Sequence, residues 1–210
     1  MTAPIEAALR LIVILDAQVA AGRDLCRLAA AAVSGGATML QVRGKLLGAR
    51  DLVDLAGRVR AAAGGVPVTV NDRLDVALAA GVAGCHLGQG DLPIDLARLM
   101  APAGFIIGGS AASPEQVRRA AAQRPDYIGI GPVAVTPSKA DAGPAIGWSG
   151  FRDAVAAAPH LPAVAIGGID ATLAVQAGAA GAAGGAVISA VVCAADPEAA
   201  TRAIRAAVGR

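Results

Sequence analysis

The chain has 210 residues, of which 55% are hydrophobic, 2% aromatic and 16% charged, with a net charge of +2. That length suffices for one sizeable domain with a closed core, which Ala, Val, Leu and Ile must build. The absence of a Lys/Arg block or an aromatic series argues against a nucleic-acid surface, and Gly or a charge interrupts every apolar stretch before it reaches membrane length.

Met1–Glu6 has no basic region and the next apolar run stops at Asp16, so no signal peptide is read. Strand-like runs then fall at Leu11–Leu15, Thr38–Val42, Val66–Val70, Gly84–Leu87, Phe105–Ile107, Tyr127–Ile130, Ala163–Ile166 and Ala186–Ile188. Ala-rich helical segments lie near Asp24–Ser34, Ala49–Ala63, Leu74–Ala80, Ile94–Met100, Pro114–Gln123, Ser149–Ala158, Thr172–Ala177 and Pro197–Val208. This alternation predicts an α/β fold, a single (β/α)8 TIM barrel forming one catalytic domain over residues 1–210. The chain is short for that fold, whose usual size is about 250 residues, so its loops must be compact.

Ser113-Pro114-Glu115-Gln116 and Asp196-Pro197-Glu198 have the form of helix starts, with a polar cap before a first-turn proline. Gly35-Gly36, Gly64-Gly65, Gly81, Gly104 and Gly178 suit helix stops. The exception to short spacing is Pro132–Gly147, a long polar loop of the kind that serves as a lid or binding segment. Cys26, Cys85 and Cys193 are scattered, which fits reduced core thiols in a cytoplasmic protein better than a disulfide framework or a zinc site.

Polar or glycine clusters stand at the C-terminal ends of the apolar runs, where a parallel barrel collects its loops on one rim. Asp72 and Asp91 follow the third and fourth runs. Two carboxylates on adjacent strands suit a hard cation such as Mg²⁺ that completes its shell with phosphate oxygens and water; the alternative is that each caps a helix. Gln41, Arg43 and Lys45 share one face of an extended segment. That face can neutralise a diphosphate and hold a polar ring, or be a solvated rim. Thr136-Pro137-Ser138-Lys139 offers two hydroxyls and an ammonium for a phosphate, or is a turn. Ser110 follows Gly108-Gly109, where small residues allow close backbone approach, or it fills a turn.

Ile166-Gly167-Gly168-Ile169 and Ile188-Ser189 end the last two runs, where barrels bind phosphate through backbone N–H groups and a helix N-terminus. His86 reads as a hydrogen-bonded structural histidine rather than a zinc or catalytic one, and His160 as exposed loop. Tyr127, Phe105, Phe151 and Trp148 read as packing residues.

Taken in order, these motifs resemble those of the thiamine phosphate synthase family over nearly the whole chain. Gln41-Val42-Arg43-Gly44-Lys45 is similar to its Q-x-R-x-K segment, Asn71-Asp72-Arg73 to N-D-R, and Gly84-Cys85-His86-Leu87-Gly88-Gln89-Gly90-Asp91 to G-x-H-L-G-Q-x-D. Asp126–Pro132 with Thr136–Lys139, Ala165–Ile169 and Val187–Ala190 complete the series.

The resemblance implies a transferase. It joins the diphosphomethyl pyrimidine to thiazole phosphate, releasing pyrophosphate by Mg²⁺-assisted dissociative loss. It further implies that Asp72 and Asp91 hold Mg²⁺ and that Gln41, Val42, Arg43, Gly44, Lys45, Asn71, Ser110 and Lys139 form the pyrimidine diphosphate site. Arg43, Lys45, Lys139 and Ser110 carry the catalytic charge stabilisation. Thr136, Pro137, Ser138, Gly168, Ile188 and Ser189 form the thiazole phosphate site.

The chain departs from the family pattern at Ala111, Ala112, Ala134 and Val135 and at the Leu15-Asp16 strand end. Two other readings remain open from sequence: a thiazole tautomerase-like isomerase, and a catalytically silent thiamine-precursor binder. The expected partners are small phosphorylated substrates, with no nucleic acid and no membrane; a homo-oligomer is compatible with the sequence.

Overall fold

A computed structural model describes residues 5–136, 138 and 143–208. Eight parallel strands close into a barrel in sequence order. They are β1 (Leu11–Asp16), β2 (Met39–Arg43), β3 (Val68–Asn71), β4 (Gly84–Leu87), β5 (Ile106–Ala111), β6 (Tyr127–Ile130), β7 (Ala163–Ile166) and β8 (Gly184–Val187). The ring closes where Ile12 of β1 pairs with Ala186 of β8. Every residue of β1 and β2 is buried, as parallel strands covered on both faces require.

The helices are α1 (Ile5–Leu9), α2 (Leu25–Ser34), α3 (Ala49–Ala62), α4 (Leu74–Ala79), α5 (Ile94–Met100), α6 (Pro114–Ala122), α7 (Gly147–Ala156), α8 (Ala171–Ala174), α9 (Ser189–Val192) and α10 (Pro197–Val208). Side-chain alternation splits the core in two. Outward residues such as Leu40, Val42, Val70 and Ile107 pack with Ala29, Ala56 and Ile204 of the helices. Inward residues Ile12, Ile14, Met39, Tyr127, Val164 and Ala186 fill the barrel lumen. Ala on many helices lets their backbones sit close to the strands. The expected start of α6 is realised: Ser113 accepts from the Gln116 N–H at 3.3 Å, and Gln116 Oε1 accepts from the Ala112 N–H at 2.7 Å.

The structure adds two elements that the periodicity did not reveal. Helix α1 inserts Leu9 into the lumen cluster, with Ile5 and Ala8 packed beside it, and so plugs the N-terminal end of the barrel. Thr38 Oγ1 ties that plug in place, donating to the Ala8 carbonyl at 2.9 Å and accepting from the Leu11 N–H at 2.8 Å. Helix α9 lies hidden in the apolar run after β8. Strand β5 runs on to Ala111, past the expected end at Ile107, because Gly108 and Gly109 lie within the strand and pair with Tyr127 and Ile128. The expected helix Thr172–Ala177 shortens to α8, followed by a 3-10 turn at Gly178–Ala180.

Of the three free thiols, only Cys85 is a buried core residue; Cys193 is exposed and Cys26 half-buried, which corrects the expectation of three core thiols. No described helix is long and apolar enough to cross a membrane.

Candidate functional site

A cavity of about 530 Å³ opens at the C-terminal rim of the barrel. Parallel strands align their ends there, so residues far apart in sequence meet around one space. Its lining includes Gln41, Arg43, Lys45, Asn71, Asp72, Asp91, Ser110, Thr136, Ser138, Gly168, Ile188 and Ser189. Val42 and Gly44 do not line it: Val42 faces the outer helices, while the backbone of Gly44 lies against Leu47 and Leu52. Pro137 and Lys139 lie outside the described residues.

Asp72 stands just past β3 in a left-handed conformation, φ 65°, and its N–H donates to the His86 carbonyl of neighbouring β4 at 2.8 Å. This fixes the carboxylate over the rim. Asp91 is held by the Gly88 N–H, which donates to its Oδ2 at 2.6 Å. The Asp91 carboxylate stands beside that of Asp72. Burial first, then Asp91, pushes the Asp72 carboxyl up to about 6, against the downward pull of Lys45 and Arg43. Neither aspartate caps a helix, since α4 starts from Arg73 and α5 from Pro93, both without a side-chain cap bond.

Two carboxylates side by side are a natural seat for a divalent cation, which removes their mutual repulsion. No cluster of three or more His, Cys, Asp or Glu suited to a metal occurs among the described residues. This donor set therefore fits a hard ion that takes its remaining oxygens from substrate and water.

Arg43 is 8% exposed and Asp16 1%. They form an ion pair between the last register partners of β1 and β2. Asp16 Oδ1 also accepts from the N–H groups of Gln18 and Val19, at 2.8 and 3.1 Å. The carboxylate is thus clamped, and it holds the guanidinium against the cavity. Arg43 is therefore no solvated rim residue.

Beneath the cavity a chain of polar side chains crosses the lumen. Gln41 and Tyr127 both line the cavity wall. The Tyr127 hydroxyl lies 3.0 Å from His86 Nδ1, and His86 Nε2 lies 2.8 Å from Ser110 Oγ. Burial pushes the Tyr127 phenol up, so it stays protonated. Glycine makes room for this chain: a Cβ at Gly108 would stand 2.3 Å from Tyr127 Cζ and 2.6 Å from His86 Nδ1.

The far side of the cavity is built by β7 and β8. Gly167 and Gly168 have φ of 93° and 70°, and a Cβ at Gly168 would meet Ala134 Cβ at 2.8 Å. This close approach lets the loop after β6 dock: the Val133 N–H donates to the Ile166 carbonyl at 2.8 Å and the Ala134 N–H to the Gly167 carbonyl at 3.0 Å. From that loop Ser138 Oγ reaches Ser189 Oγ at 3.0 Å. The N-terminus of α8 is already occupied by Asp170, which accepts from the Thr172 and Leu173 N–H groups at 2.9 Å. The start of α9, at Ile188-Ser189, carries no side-chain cap, so of the two it is the one that offers N–H groups to an anion.

Sequence reasoning missed Asp16 as the holder of Arg43 and Tyr127 as a polar lumen residue; the expected hydrogen-bonded His86 is found, with Tyr127 and Ser110 as its partners. Asp16 had a signal, as a charge ending an apolar strand two residues beyond a lumen-facing Ile14. Tyr127 had none, because its partners come from other strands.

The sequence profile of the family described as thiamine monophosphate synthase matches residues 11–191. The thiamine-phosphate synthase of Methanoculleus marisnigri is 48% identical over 200 residues, covering 93% of each chain. That of Moorella thermoacetica is 44% identical over 202 residues, covering 95% of this chain and 96% of its own. Among solved structures, thiamine phosphate pyrophosphorylase from Pyrococcus furiosus superposes with a TM-score of 0.87 at 35% identity, covering 98% of both chains.

Proposed function

The chain belongs to the thiamine monophosphate synthase family, and we propose that its rim cavity condenses the pyrimidine diphosphate and thiazole phosphate around a Mg²⁺ ion held by Asp72 and Asp91. The enzyme is a transferase. The pyrimidinylmethyl group leaves its diphosphate and is taken by the thiazole nitrogen, giving thiamine phosphate and pyrophosphate. The observation that carries the assignment of sites is the convergence of the Asp72–Asp91 pair with Arg43, Lys45 and Ser110 on one side of a single cavity, opposite Thr136, Ser138 and Ser189.

The geometry suits a dissociative step. When the C–O bond to pyrophosphate breaks, the electron-rich aminopyrimidine carries the positive charge and the departing diphosphate gains negative charge. Arg43, fixed by Asp16, and Lys45 face that charge without rearrangement, and Ser110 adds a hydroxyl donor; the resemblance adds Lys139 to this set. Such preorganised charge acts more strongly on the transition state than on the bound substrate. Bound Mg²⁺ would neutralise diphosphate oxygens and make pyrophosphate a better leaving group. The apolar floor from Ile12, Ile14 and Ile166 excludes water that would otherwise capture the cation. Ser138, Ser189, Thr136 and the uncapped start of α9 hold the thiazole phosphate, so its nitrogen is presented from a fixed position. No protein nucleophile is required.

Arg43 and the acidic pair favour condensation over tautomer conversion alone, which has no use for a diphosphate site. Free cysteines support a cytoplasmic setting, where thiols stay reduced. The test incubates purified protein with both substrates and Mg²⁺ and follows thiamine phosphate and pyrophosphate. Their equimolar formation is expected. Thiazole tautomer conversion without condensation, or tight binding without turnover, would replace this reading with one of its two rivals.

A further inference from the structure

We propose that His86 is a positioning residue: held between Tyr127 and Ser110 in the barrel lumen, it fixes the direction of the hydrogen-bond chain they form, so that Ser110 presents its hydroxyl proton to the ligand. The inference rests on the synthase reading of the cavity and goes beyond it, because neither His86 nor Tyr127 has a role in that reading.

The Tyr127 phenol is buried, and the hydrogen-bond partner its hydroxyl meets is a ring nitrogen of His86. The phenol retains its own proton, and the acceptor beside it is His86 Nδ1, at 3.0 Å. A ring that accepts at Nδ1 carries its proton on Nε2. That N–H points to Ser110 Oγ at 2.8 Å, which then accepts and must turn its own proton elsewhere. Ser110 lines the cavity, so the proton is aimed at the diphosphate end.

The lumen is shaped to keep this order. His86 is 9% exposed and Tyr127 1%, so water does not compete for the chain. The rings stack 5.5 Å apart at 40°. Space for them exists because β5 carries Gly108, where a Cβ would stand 2.3 Å from Tyr127 Cζ and 2.6 Å from His86 Nδ1. A structural histidine needs only satisfied nitrogens. One that joins a buried phenol to a cavity-lining hydroxyl also sets which way that hydroxyl's proton faces.

The chain has only two histidines, so a ¹⁵N-histidine NMR spectrum compared with that of His86→Gln assigns the His86 ring directly. The expected result is a neutral ring protonated at Nε2, changing its tautomer balance in Tyr127→Phe. In steady-state assays Tyr127→Phe should lower kcat by about tenfold to a hundredfold, less than or equal to the loss of one preorganised donor, with the KM for thiazole phosphate unchanged. A wild-type ring protonated at Nδ1 overturns the inference and needs no variant to fold. So does a His86→Gln or Tyr127→Phe enzyme with full kcat. Wild-type protein that makes no thiamine phosphate would instead remove the synthase reading, an outcome the tautomer measurement does not depend on.

Discussion

Arg43 of β2 is anchored by Asp16 of β1, its register partner at the barrel rim, through an ion pair that is buried on both sides. A buried pair of this kind contributes little net stability, but removing one partner strands the other charge. Asp16→Ala should therefore cost about 3–5 kcal/mol of stability and also lower kcat/KM, because Arg43 loses the contact that aims it. Asp16→Asn combined with Arg43→Gln should recover much of the melting temperature and none of the activity. Thermal melts and steady-state rates on the three proteins check this; a double variant that regained activity would contradict a catalytic Arg43.

The Asp72 carboxyl, pushed up to about 6 by burial and by Asp91, makes a signed statement about stability. A carboxyl raised in the folded state binds more protons there than in the unfolded chain between its ordinary value of 3.8 and about 6. Metal-free protein should thus lose stability as pH rises through that window, and the loss should be complete above it. Asp72→Asn should flatten this dependence and be the more stable protein at pH 7 without metal. Mg²⁺ should stabilise the wild type at pH 7, much less at pH 5 where protons compete for the same oxygens, and Asp72→Asn little at either. Denaturant titrations with chelator or with Mg²⁺ read all three effects.

Ser138 and Ser189 join the long loop to the start of α9 through a 3.0 Å hydrogen bond. Ser189→Ala should raise the KM for thiazole phosphate by about 10–100-fold, the value of one hydrogen bond to a charged group, and leave that for the pyrimidine diphosphate nearly unchanged. Separate saturation curves for the two substrates decide it. An equal effect on both would mean that the two ends of the cavity are not distinct sites.

Gly168 tests the same end through the backbone. With φ 70° and Ala134 Cβ 2.8 Å from a would-be side chain, Gly168→Ala should displace the docked loop and weaken thiazole phosphate binding more than it lowers the melting temperature. Paired melting and KM measurements give the comparison.

The barrel was legible because buried parallel strands write short apolar runs and compact helices follow at regular intervals. Val68–Asn71 and Gly84–Leu87 end near where the runs end. Helix α1 was not, since five residues at the end of a chain carry no periodic signal, and α9 was masked by the apolar residues of β8 that precede it. Within the site, residues adjacent in sequence were readable: Gln41, Arg43 and Lys45 alternate onto one face, and all three line the cavity. What escaped was pairing across strands. Asp16 with Arg43, and His86 with Tyr127 and Ser110, depend on register and lumen space, which single-strand patterns do not encode. Whether Asp72 and Asp91 cap helices is likewise decided by the fold, because the observed cap positions, Arg73 and Pro93, lie only one and two residues further along.

The central claim is that Asp72 and Asp91 hold the ion that drives departure of pyrophosphate. The most direct test is the initial rate of thiamine phosphate formation as a function of Mg²⁺ for the wild type, Asp72→Asn and Asp91→Asn. The account predicts a saturable Mg²⁺ dependence abolished by chelator, with each variant slowed by at least about 10²-fold or shifted to far higher Mg²⁺. A wild-type rate indifferent to chelator, or variants with an unaltered Mg²⁺ curve, would contradict it.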